Sequence, residues 1–159
     1  MRSRLYALLV LSALVASVVA ETASARVDGP WPVPAKPRPT RGQLAAKVAL
    51  GAVGVPYRWG GSSPASGFDC SGLVYWAYGR LGVAVPHSSY ALYGVGRSVR
   101  RARLRAGDVL FFSGLGHVGL YLGRGQMVHA PYSGRRVEVV DLRSSHYGLR
   151  LVGARRIVS

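Results

Sequence analysis

From Asp108 onward the chain divides into five short runs rich in β-branched, aromatic and other apolar residues, DVLFF, HVGLYLG, QMVHA, RVEVV and LRLVGARRIV, separated by glycine or polar breaks. Runs of this kind read as strands joined by short turns. Ahead of them the period changes. Cys70, Leu73, Val74, Ala77 and Leu81 fall at i, i+3, i+4, i+7 and i+11, one apolar face of a helix, and Asp69 stands where an N-cap belongs. Gln43 to Val53, with Leu44, Lys47, Val48, Leu50 and several alanines, reads as a shorter helix stopped by Gly51, Gly54 and Pro56, and Ser88 to Val95 as a third helical piece. Helices first and strands after them, with short breaks between strands, predict an α+β fold in which N-terminal helices pack on an antiparallel sheet.

The N-terminus sets the compartment. Arg2 and Arg4 precede a mostly apolar run, Leu5 to Ala20, that ends near the small residues Ala23, Ser24 and Ala25. A charged start, an apolar middle and an A-x-A site predict a signal peptide over 1–25, with a second small-residue site upstream at Ala20. An uncleaved anchor is the rival, but the run is short of the roughly 20 apolar residues that span a bilayer. Residues 26–40, RVDGPWPVPAKPRPT, hold five prolines and read as an extended linker. What remains, 41–159, is one domain's worth of chain. The protein is therefore expected to be secreted, extracellular or wall-associated, or periplasmic where an outer membrane is present, with no membrane span after processing.

Charge narrows the partners. The whole chain carries a formal +15, and loss of Arg2, Arg4 and Glu21 with the leader leaves +14. Such a polycation suits a polyanion without choosing which one. Export and the scattering of its arginines, with no nucleic-acid-binding signature, argue against DNA or RNA and leave a solvated basic surface.

Cys70 is the only cysteine of a chain that reads as exported, where cysteines usually occur in pairs. In the first turn of a helix capped by Asp69 it would meet unpaired N–H groups and the positive end of the helix dipole, which makes a thiol easier to ionise. Alone, it would read as a small buried hydrophobe. A nucleophile needs a base, and two histidines are placed by their strands. A three-residue break, Gly123-Arg124-Gly125, sets Leu122 opposite Gln126 and Gly119 opposite His129. Alternation then puts His117, Gly119, Tyr121, Met127 and His129 on one face, with the two imidazoles as diagonal neighbours and Gly119 leaving room between them. In this arrangement His117 takes the thiol proton and His129 fixes its tautomer. Zinc bound by one cysteine and two histidines is the rival, but H-x11-H with a distant cysteine matches no common spacing, and the reading needs no metal or cofactor. His87 and His146 stand in loop-like contexts and read as ordinary residues.

PYRWGG (56–61), FDCSGLVYWAY (68–78), RAGDVLFF (105–112) and GHVGLYLGRGQMVHAP (116–131) resemble, in order and spacing, the successive motifs of the NlpC/P60 cysteine peptidases. The resemblance implies a papain-like α+β fold and hydrolysis of peptidoglycan stem peptides, most often at the γ-D-glutamyl to diaminopimelate bond. By position it implies Cys70 as nucleophile, His117 as base and His129 as third polar residue. It also sets Tyr57 near the oxyanion site together with backbone N–H groups beside Cys70, such as that of Ser71, and gives Asp69 a role in capping or in substrate recognition. The segment VPHSSYALYGVGR departs from the family, which usually carries an arginine or a Thr/Ser segment followed by glutamine there; substrate preference is the property this touches. The basic surface would attract stem-peptide carboxylates and anionic wall polymers. Two alternatives stay open: an idle basic wall-binding module, and an amidase or acyltransferase on the same fold.

Overall fold

The computed structural model describes residues 36–158. The leader expected over 1–25 and most of the linker expected over 26–40 lie outside them; residues 36–40 are exposed and carry no helix or strand.

Helix α1 spans Arg41–Leu50. It starts two residues before the predicted Gln43 because Thr40 caps it reciprocally: Gln43 N–H donates to Thr40 Oγ1 at 3.2 Å, and Thr40 N–H donates to Gln43 Oε1 at 2.8 Å. Gly51 closes it, so the predicted extension to Val53 is a turn instead. Gly42, Ala45, Ala46 and Ala49 form its buried face, small enough for close approach to its neighbour. Helix α2, Cys70–Gly79, is capped as predicted, with Gly72 N–H donating to Asp69 Oδ1 at 2.6 Å. A cap of this kind is worth about 1 kcal/mol. The helix ends short of Leu81, which still packs against the core. The Tyr78 hydroxyl donates to Gly107 O at 2.7 Å and ties α2 to the segment before the central strands. Helix α3 is a single turn, Ser89–Tyr93, capped by Ser88.

A two-stranded ribbon, β1 (Ser62–Ser63) and β2 (Gly67–Phe68), occupies the glycine-rich stretch between α1 and α2. The main sheet contains β3 (Arg97–Ser98), β4 (Val109–Phe112), β5 (Val118–Gly123), β6 (Gln126–His129), β7 (Glu138–Asp141) and β8 (Leu151–Arg156). Its order is β3-β8-β4-β5-β6-β7, with every neighbouring pair antiparallel. Leu149 and Arg150, predicted as strand, instead finish a short helix α4, Tyr147–Arg150. The centre of the main sheet is buried on both faces. On the helix side Val109, Phe111, Val118, Leu120, Val128 and Ala130 pack with Phe68, Leu73, Val74 and Ala77. On the other side Leu110, Phe112, Met127 and Ala154 form a smaller core with Leu142 and Val99, against which Tyr121 and Tyr147 pack. Full burial of each large apolar side chain is worth about 1.5–3 kcal/mol.

The β5–β6 hairpin keeps the predicted register over most of its length. Leu120 pairs with Val128 and Tyr121 with Met127, a register that continues to Gly119 and His129. Leu122 is the exception. Gly123, not Leu122, pairs with Gln126, because Arg124 (φ 53°) and Gly125 (φ 81°) form a two-residue turn with both residues left-handed. The extra residue is absorbed as a bulge beside Gly123.

Candidate active site

Cys70 opens α2 on the helix side of the sheet, while the two histidines lie on the opposite face. A Cβ at Gly119 would meet Met127 Sδ at 2.9 Å and His129 Cβ at 3.2 Å, so the missing side chain is what admits His129. His117 Nε2 and His129 Nδ1 are 2.9 Å apart, a hydrogen bond. Tyr147 packs on both rings, stacked on His117 (centroids 5.5 Å) and edge-on to His129 (4.8 Å), and Phe112 backs His117 at 5.7 Å. The two faces meet at the start of β5. Gly116 lines the cleft of about 600 Å³ that holds Cys70, and also the cleft that holds His117. The backbone N–H of Val118, next to His117, faces the Cys70 sulfur, as do those of Ser71 and Cys70 itself. Among the described residues no hydrogen bond joins His117 to Cys70; the pair is adjacent through the backbone rather than locked.

Protonation differs from expectation. Burial pushes the Cys70 thiol up, against the lowering by the Val118 and Ser71 amides, and the Asp69 charge adds to the rise. Counting only the helix N-terminus predicted the opposite direction; burial outweighs it here. Burial, with the neighbouring charges of His129, Arg150 and His146, holds His117 at about 3. Burial, with His146 and Arg135, holds His129 at about 4. Both imidazoles are therefore neutral near pH 7, and the resting pair is a thiol and a neutral ring rather than an ion pair.

Asp69 organises the wall of the Cys70 cleft. Besides capping α2, it accepts from Gly60 N–H at 2.9 Å, from the Ser71 hydroxyl at 3.0 Å and from His87 Nε2 at 3.0 Å. Burial pushes its carboxyl up, but Gly72, His87 and Ser71 together overcome that and hold it below the usual carboxylate range. Gly72 is required by this crowding, since a Cβ there would collide with the Gly61 carbonyl and come within 2.8 Å of His87 Nε2. Among the described residues no group of three or more His, Cys, Asp or Glu side chains is arranged to hold a metal ion.

The NlpC/P60 family model matches residues 54–156. The chain belongs to the NlpC/P60 family. It is 39% identical over 129 residues to murein DD-endopeptidase MepH of Escherichia coli (strain K12), covering 74% of this chain and 48% of that protein. With the probable endopeptidase Rv2190c of Mycobacterium tuberculosis (strain ATCC 25618 / H37Rv) it shares 51% over 100 residues, covering 62% of this chain and 26% of that protein. The chain thus spans half or less of the length of these curated relatives. Among solved structures it is similar to the resuscitation promoting factor interacting protein RipA, with a TM-score of 0.66, 32% identity, and coverage of 75% of this chain and 62% of that one. RipA has been solved mutated at one cysteine, one histidine and one glutamate position.

Against the NlpC/P60 pattern the remaining residues fall into place unevenly. Tyr57 is half-buried and packs against the helix-side core. Its phenol is pushed up by burial, then by Cys70 and Asp69, and has no hydrogen-bond partner among the described residues. Tyr57 also lines a neighbouring cleft of about 530 Å³ with Arg58, Trp59, Arg135 and Arg136. The Ser71 hydroxyl is committed to Asp69, so toward a ligand Ser71 offers its backbone. His87, read as an ordinary loop residue, instead borders the Cys70 cleft, bonded to Asp69 and stacked on Tyr75 at 5.6 Å. The signal that could have found it was its place in the segment that departs from the family. Tyr147 gave no signal, because it was not assigned to any element.

Proposed function

We propose that this chain is an exported thiol endopeptidase that hydrolyses peptidoglycan stem peptides, with 41–159 as its catalytic domain, 26–40 as a tether and 1–25 as a leader. The observation that carries the reading is the 2.9 Å bond between His117 Nε2 and His129 Nδ1 at the end of the strand beside Cys70. Histidine 129 occupies one nitrogen of His117 and leaves Nδ1 to accept the thiol proton. Cys70 Sγ then attacks the carbonyl carbon, and the oxyanion that forms is met by backbone N–H groups beside Cys70 and by the Tyr57 phenol. Collapse expels the amine, which takes its proton from His117, and water hydrolyses the thioester by the same route. Supporting this assignment, the three positions mutated in RipA lie 49 and 12 residues apart, and Cys70, His117 and His129 lie 47 and 12 apart. The third position is a glutamate there and a histidine here.

The bond implied by the family resemblance is γ-D-glutamyl to diaminopimelate, whereas MepH is named for a DD bond. Digesting defined muropeptides and weighing the fragments decides between them. The expected result is one cut at the γ-D-glutamyl bond, absent with Cys70→Ala; intact muropeptide after exhaustive incubation would contradict the reading. The arginine-lined cleft beside Tyr57 and the formal +15 fit adsorption to anionic wall polymers, which should weaken as salt screens exposed charges.

A further inference from the structure

One buried ring nitrogen of the pair has no partner among the described residues. His129 Nε2 is fully buried and makes no hydrogen bond among the described residues. The carboxylate nearest to it belongs to Glu138, whose Oε1 lies 3.7 Å away. Glu138 sits directly opposite His129 in the β6–β7 ladder. Its other oxygen, Oε2, accepts from Arg135 Nη2 at 2.7 Å, which leaves Oε1 turned to the histidine. Around His129 stand His117, Tyr147 and Glu138, with His146 and Arg135 close enough to act by charge.

Each neutral imidazole carries one proton, so the contact between the rings has two forms. In the first, His117 Nε2–H donates to His129 Nδ1. His117 Nδ1 is then bare and can act as a base, and the proton of His129 sits on Nε2. In the second, His129 Nδ1–H donates to His117 Nε2. The proton of His117 then blocks Nδ1, and a bare His129 Nε2 faces a carboxylate. A carboxylate only accepts, so it favours a proton on Nε2 and disfavours a lone pair there. An approach of under 1 Å would turn the 3.7 Å contact into a hydrogen bond.

We propose that Glu138 is a positioning residue: from the neighbouring strand it selects the tautomer of His129, and through it the tautomer that leaves His117 Nδ1 free for the Cys70 proton. The proposal rests on the thiol-peptidase reading for its consequence in catalysis, but its physical content is a property of the resting protein.

The test is 15N NMR of the histidine ring nitrogens in the full chain, together with single-turnover cleavage of one muropeptide. In the wild type both Nε2 atoms should be protonated and both Nδ1 atoms bare. Glu138→Gln keeps an accepting oxygen and should retain that pattern and most of the rate. Glu138→Ala should populate the reverse tautomers and slow the single turnover about 10- to 100-fold, the effect of losing one charge-assisted contact. Glu138→Val, a better strand former, serves the same purpose should the alanine variant fail to fold. Wild-type tautomers in a folded Glu138→Ala or Glu138→Val protein would overturn the proposal, as would the reverse tautomers in the wild type. If the tautomers respond as stated and no variant cleaves muropeptide, the positioning role stands and the functional reading fails.

Discussion

Two buried polar pairs sit in the same sheet and differ in how completely they are satisfied. Asp108, 1% exposed, is held by a two-pronged contact with Arg156, Nε to Oδ1 and Nη2 to Oδ2 both at 2.7 Å, and by Arg105 N–H at 2.8 Å. Arg156 Nη2 also donates to Arg103 O at 3.0 Å. Neither residue leaves a buried side-chain nitrogen or oxygen without a partner among the described residues. The His117–His129 pair has one bond at 2.9 Å, an unpartnered Nε2 and a ring proton with two possible positions. Saturation fixes structure, and incompleteness leaves a proton free to move. The first pair pins β8 and the segment preceding β4; the second lies where Cys70 and the clefts converge.

Breaking each pair should therefore damage a different property. The largest effect is expected from His117→Ala, which removes the proposed base: the single-turnover rate on a defined muropeptide should fall about 10²- to 10⁴-fold. Its thermal midpoint should fall less than that of Asp108→Ala, because losing the neutral ring leaves a cavity and an unpaired nitrogen on His129 but no buried charge. Asp108→Ala should do the reverse. It strands the Arg156 guanidinium in the interior, at a cost of about 3–5 kcal/mol in chemical denaturation, while the fraction that stays folded keeps its turnover number. Equal losses of activity per folded molecule in the two variants would erase the distinction.

Acid should sharpen it further. In the fold His117 and His129 are held at about 3 and about 4, against 6.5 when unfolded. Below pH 6.5 the unfolded chain binds the extra protons, so stability is full above that point and falls as pH drops toward 4. Each histidine contributes a slope of at most about 1.4 kcal/mol per pH unit. Denaturant midpoints recorded between pH 7 and pH 4 should show this decline, and His129→Gln should make it shallower. A slope unchanged in that variant would mean that His129 already takes up its proton in the folded protein.

The hairpin carrying both histidines was legible because alternation and a glycine-bounded turn are local signals, and Gly119 marked where an imidazole needed room. Its one slip, at Leu122, came from a turn that uses Arg124 at φ 53°, a conformation no residue type there announces. The N-cap at Asp69 was equally legible, since the cap and the helix it starts are neighbours in sequence. The direction of the Cys70 shift was not: the helix end is local, whereas burial comes from tertiary packing, α2 lying against β1 and β5. His87 and Glu138 were hidden for the same reason. Each reaches the site across an irregular connection, Gly79 to Ser88 in one case and Ala130 to Val137 in the other, whose path depends on tertiary contacts.

In the proposed reaction the Cys70 sulfur forms a bond to the substrate. Mixing the protein with a defined muropeptide, quenching in acid within one turnover and weighing the intact protein tests it most directly. The expected result is an added mass equal to the acyl half of the cleaved stem peptide, mapped by proteolysis to the peptide containing Cys70, and neither adduct nor cleavage with Cys70→Ala. Cleavage by Cys70→Ala at the wild-type rate, or an adduct on any other residue, would contradict it.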